Sequence, residues 1–86
     1  MTFIEFLSKE FPYHNTLKGF GTVAHLFSKN GRYAVYSQEG KEHILSFQIA
    51  QGNWYFDLLE ELEDEFGKPA KTYDHSGLTY YIWRTE

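Results

Sequence analysis

The sequence contains no cysteine, two prolines and one methionine among its 86 residues. Without thiols there is no disulfide framework and no thiolate zinc site, which fits a cytoplasmic protein. No apolar run approaches the roughly 20 residues that span a bilayer. The opening "MTFIEFLSKEF" interleaves acids and a lysine with its apolar residues, unlike the apolar centre of a signal peptide. The expectation is a soluble, cytoplasmic chain. Several marks of catalysis are also missing. There is no glycine-rich phosphate loop, no serine on a strand–turn–helix elbow and no pair of histidines spaced for one helical face. "GFGT" at 19–22 is too short for a dinucleotide fingerprint, and no helix pattern follows it. No enzymatic activity, cofactor or metal is therefore expected.

Aromatic rings are plentiful: eight Phe, seven Tyr and two Trp. Each large ring buries about 150–250 Å², so a short chain can still build a core. Residues 1–86 read as one domain. The net charge of −4 is unevenly spread. Asp57, Glu60, Glu61, Glu63, Asp64 and Glu65 crowd one segment, whereas the remainder has more Lys and Arg than acids.

Local patterns predict the elements. Thr2 and Glu5 fit a capping box, and Phe3, Phe6, Leu7 and Phe11 follow helical spacing up to Pro12. Residues 12–21 read as a connecting loop whose Leu17 and Phe20 tuck against the core. Asn30-Gly31 marks a tight hairpin, and a second turn is expected at Glu39-Gly40. Three antiparallel strands follow, near 22–28, 32–38 and 42–49. Two-residue turns would align Phe27, Ala34 and Leu45 on one face, with His25, Tyr36 and His43 in a row beside them. Leu26, Val35 and Ile44 take the other face, with Tyr33 nearby. A second helix is capped by Asn53 and ended by Gly67 and Pro69. Its Tyr55, Leu58, Leu59, Leu62 and Phe66 form one apolar arc opposite Asp57, Glu60, Glu61 and Asp64. A last hairpin turns at "DHSG" into strand 78–84.

The expected fold is α+β, in the order α-β-β-β-α-β-β, with two helices packed on one face of an antiparallel sheet. The first five elements share their order with double-stranded-RNA-binding domains, which meet phosphate with a basic second helix. The acidic second helix here implies a similar layering and nothing more.

Helices of about 9 and 13 residues are only about 14 and 20 Å long, enough to cover one face of such a sheet. Strand 78–84 is apolar on both sides, with Leu78, Tyr80 and Ile82 on one and Thr79, Tyr81 and Trp83 on the other. One side should lack a cover, and Tyr81 and Trp83 are the expected open pair. A curled sheet, or residues 12–21 folded over this face, would remove the patch.

The His25–Tyr36–His43 row lacks a third metal ligand, because alternation sends Glu42 to the other face. These features suggest a non-enzymatic protein that binds and inhibits a macromolecular partner, in the manner of immunity proteins, antitoxins or phage-encoded inhibitors of host defence. Its partner-binding residues would be Tyr33, Val35, Ile44, Tyr81, Trp83, Glu60, Glu61 and Asp64. The partner is expected to be a protein. Two alternatives stand beside this. Tyr33, Tyr81 and Trp83 could stack on nucleic acid inside a rim of Lys29, Arg32, Lys41, Lys71 and Arg84. A homo-oligomer could instead bury the same face against itself.

Overall fold

The computed structural model describes residues 1–19 and 22–85, apart from the side chain of Thr22. Helix α1 spans Phe3–Glu10. The Thr2 hydroxyl accepts from the Glu5 amide at 3.1 Å and the Glu5 carboxylate accepts from the Thr2 amide at 3.3 Å, so the capping box is formed. The helix ends where the Phe11 N–H donates to the Leu7 carbonyl, one residue before Pro12.

Residues 12–21 hold a strand rather than the expected loop. β1, Tyr13–Gly19, pairs antiparallel with β2, Thr22–Lys29. All its residues are exposed because it is an edge strand beyond the reach of the helices, and Leu17 stays on the surface at 49 % exposure. The predicted burial of Phe20 lies outside the described residues. β3 (Arg32–Glu39) and β4 (Glu42–Gln48) complete a four-stranded meander. A 3-10 turn at Ile49–Gln51 leads to α2, Tyr55–Phe66, and then to β5 (Lys71–His75) and β6 (Leu78–Arg84). The observed order is α-β-β-β-β-α-β-β, and the six strands lie as β1-β2-β3-β4-β6-β5 in one antiparallel sheet. The fold class is α+β as expected, with one more strand. That fourth strand before α2 also removes the ordering shared with RNA-binding domains.

Turn chemistry sets the registers. Asn30 and Gly31 both take positive φ, 51° and 77°, and Lys29 faces Arg32 across the two-residue turn. The next turn is Gly40-Lys41, with Glu39 facing Glu42, rather than Glu39-Gly40. The pairing of β3 with β4 is consequently displaced by two residues: Tyr36 faces Leu45, and His43 faces Gln38. Because the displacement is even, every side chain keeps its predicted face. The last hairpin turns at Ser76-Gly77, leaving Asp74 and His75 within β5. At α2, Trp54 rather than Asn53 precedes the first turn, without a side-chain cap. Gly67, at φ 84°, closes the helix by donating its N–H to the Glu63 carbonyl.

Both helices pack on one face. Phe3 and Leu7 from α1, Phe11 just beyond its end, and Tyr55, Leu58 and Leu62 from α2 bury Phe27, Ala34, Tyr36, Leu45, Phe47, Tyr81 and Trp83 of the sheet. Tyr81 and Trp83 therefore belong to the core, 8 % and 3 % exposed, and the expectation that they form the open pair is overturned. The reason is register. Tyr81 faces Leu45, and Leu45 lies on the covered side. Burial, with Tyr55 beside it, pushes the Tyr81 hydroxyl up to about 12. The Trp83 indole is satisfied inside the core because its Nε1–H donates to the Gly67 carbonyl at 2.7 Å.

Candidate functional site

With Tyr55, Leu58 and Leu62 buried, helical periodicity turns Asp57, Glu60, Glu61 and Asp64 outward, and all four are exposed. Among the described residues the one ion pair is Arg84–Glu42, 3.4 Å apart on the far side of the sheet. Among the described residues, none of the α2 carboxylates has a cation within such a distance. Glu10, at the end of α1, adds a further acid beside Glu61. Its charge raises the Glu61 carboxyl above the ordinary range, with smaller contributions from burial, from a hydrogen bond to Glu10 and from Asp57 and Asp64. The two helices thus present one continuous carboxylate surface.

A hollow of about 300 Å³ sits where this surface meets the β2–β3 hairpin. Glu10, Asp57 and Glu61 line one part, Lys29 and Arg32 another, and Trp54 contributes an aromatic wall. The Arg32 guanidinium lies 5.6 Å from the Trp54 ring centroid, a cation–π contact. Gln51 braces the hairpin tip, accepting from the Tyr33 amide at 3.3 Å and donating to the Gly31 carbonyl at 2.8 Å.

The opposite face of the sheet has no covering element among the described residues. Registers place Leu26, Val35, Ser46, Tyr80 and Tyr73 in one row across five strands, and Ser37, Ile44, Ile82 and Lys71 in the next. Tyr33, Val35 and Ile44 thus lie on the uncovered face, as expected. They are joined there by Tyr80 and Ile82 in place of Tyr81 and Trp83. The proposed stacking trio is divided accordingly, with Tyr33 on one side of the sheet and the other two rings beneath the helices. Its cationic rim is divided too. Lys71 and Arg84 lie on the uncovered face, Lys29 and Arg32 on the helix side, and Lys41 in a turn. Sequence reasoning missed Tyr73 and Glu10. Tyr73 stands just before the expected "DHSG" turn, where no alternation assigns it a face, and Glu10 is far from Glu61 in the chain.

The histidine row is real and longer than predicted. His14 Nε2 and His25 Nδ1 are 2.9 Å apart, and His14 stacks on Phe27 at 4.4 Å. His25 and Tyr36 rings are 6.0 Å apart, and the Tyr36 hydroxyl lies 2.7 Å from His43 Nδ1. The two-residue displacement puts Tyr36 and His43 on a diagonal, still within aromatic reach. Among the described residues no three His, Cys, Asp or Glu side chains are grouped to hold a metal ion. Burial, aided by the charge of His14, lowers the pKa of His25, and burial lowers that of His43.

These shifts have a thermodynamic sign. A histidine harder to protonate in the fold stabilises it above the unfolded value of about 6.5, and this contribution is lost as the pH falls towards the folded value. Thermal melts from about pH 7.5 to 5.5 should therefore show falling stability. His43→Gln should flatten that slope; an unchanged slope would remove His43 from the explanation.

Compared with known proteins, the chain matches no family model, no curated protein and no solved structure. No helix is long and apolar enough to cross a membrane among the described residues.

Proposed function

We propose that this chain is a non-enzymatic cytoplasmic protein that binds, and by occupancy inhibits, a protein partner with a basic surface. Glu60, Glu61 and Asp64 of α2 make the central contact. The observation that supports this reading is the carboxylate surface formed by α2 and Glu10, which has no ion-pairing cation among the described residues. Acids in the last turn of a helix oppose its macrodipole at a cost of about 0.3–1 kcal/mol each. Only Asp57 stands in the favourable first turn of α2, and no basic residue stands in the last. A basic partner would offset both this cost and the repulsion between Glu10 and Glu61, and the field would speed its approach. The same field repels nucleic-acid phosphates. Occupancy of a functional surface is how immunity proteins, antitoxins and phage-encoded inhibitors act, and this chain is proposed to act in that way.

The test is a triple variant, Glu60→Gln, Glu61→Gln and Asp64→Asn, compared with the unaltered chain as bait in native cells. The unaltered chain should recover one basic protein in stoichiometric amount, and the variant at least about tenfold less. The variant should melt at the same temperature or higher, because repulsion has been removed. Equal recovery by both baits, or recovery of RNA or DNA alone, would overturn the proposal.

A further inference from the structure

The acidic-helix reading leaves the uncovered sheet face without a role. We propose that this face is where two copies of the chain meet, in a two-fold, sheet-on-sheet dimer. Three features single out a second copy as the occupant.

The first is charge. A two-fold axis sets a patch against itself, so a patch of one sign is excluded. The helix side carries the α2 acids and repels a copy of itself. On the uncovered face the row Leu26, Val35, Ser46, Tyr80, Tyr73 has no charge of its own, and the flanking Glu39, Glu42, Lys71 and Arg84 supply two of each sign, with the Lys71 ammonium 5.3 Å from the Tyr73 ring centroid. Arg84 is already paired with Glu42, which leaves little to hold phosphate or to attract a basic protein.

The second is shape. A hollow of about 330 Å³ lies over Ser46, walled by Leu26, Val35, Leu78 and Tyr33, with Gln48 as its one other polar lining residue. Its floor carries no unsatisfied donor, since the buried Ser46 hydroxyl donates to the Val35 carbonyl at 3.4 Å. Beside the hollow stands a ridge, Tyr73 stacked on Tyr80 with centroids 4.9 Å apart. An axis between ridge and hollow places the ridge of each copy over the hollow of the other.

The third is area. Six strands at about 4.8 Å spacing, with four side-chain rows about 6.7 Å apart, give a footprint of roughly 480 Å² per copy. Two copies approach the roughly 1,000 Å² expected of a specific interface.

Sedimentation equilibrium of the full chain from about 1 to 200 µM tests the proposal. The mass should rise from 10.2 kDa towards twice that value. Because the contact is apolar, association should persist in about 0.5 M salt, where surface charges are screened. Val35→Lys sets like charges near the axis, and Tyr80→Ala removes the ridge; each should weaken association at least about tenfold. The triple α2 variant should associate as the unaltered chain does. A chain that stays monomeric throughout the range overturns the proposal. So does a dimer that dissociates in salt, or one indifferent to both face substitutions. Circular dichroism establishes that the variants are folded; should Val35→Lys unfold, Tyr80→Ala and the mass of the unaltered chain decide.

Discussion

Replacing Trp83 with alanine is expected to cost about 3–5 kcal/mol, the range for truncating a buried tryptophan. At about 0.05–0.15 kcal/mol per residue, a domain of this length has roughly 4–13 kcal/mol in total, so this one change consumes much of it. Two losses combine. The indole is 3 % exposed and lies 5.4 Å from Phe3 and 6.4 Å from Tyr81 between ring centroids. Its N–H also serves the Gly67 carbonyl at the end of α2. Trp83→Phe separates the two effects, since it keeps most of the ring volume but removes the donor. Its cost should include about 0.5–1.5 kcal/mol for the hydrogen bond. Urea unfolding midpoints measure both variants. If Trp83→Ala were nearly neutral while Tyr80→Ala unfolded the protein, the assignment of covered and uncovered faces would be reversed.

Phe3→Ala should be of similar size, again about 3–5 kcal/mol, and should also alter a titration. Phe3 stacks on Phe66 at 3.9 Å, on His43 at 4.6 Å and on Tyr36 at 5.6 Å, joining both helices to the sheet. It lies over the imidazole of His43, whose pKa is lowered by burial. Removing the ring admits water, so the His43 pKa should rise towards its ordinary value. The milder Phe3→Leu keeps the fold intact for proton NMR titration. There the His43 resonance should titrate at higher pH than in the unaltered chain. A His43 titration that did not shift would mean that other groups keep water from the ring.

Local chemistry was the legible part of this sequence. Thr2 and Glu5, Asn30-Gly31 and Gly67 announced their structures because each meets a backbone requirement within a few residues. Side-chain alternation told the two faces of β2, β3 and β4 apart correctly, even where the exact partner was two residues away. Strand β1 was invisible for a different reason. "YHNTLKG" lies at an edge with every residue exposed, so it has no buried set to alternate with a solvated one. Its histidine was accordingly lost from the predicted row. For β6 the difficulty was the reverse, since both sets of side chains are large and apolar. The choice between them depends on which residue meets Leu45, a pairing made across α2 and β5, and no local pattern encodes it. Exposure of the α2 acids followed from periodicity, but their union with Glu10 is a product of helix packing.

The pairing of β4 with β6 has a consequence for how the chain folds. Every other strand pair in the described sheet is separated by only two residues of sequence, whereas this one brings residues 42–48 against 78–84. Short-range contacts form early and cheaply, while distant ones must first overcome the entropy of closing a long loop. The meander and the final hairpin are thus two locally specified pieces, and the seam between them should limit the rate. Substitutions along it, at Ile44 or Ile82, should slow refolding in proportion to the stability they remove, while those confined to the β2–β3 hairpin tip should chiefly speed unfolding.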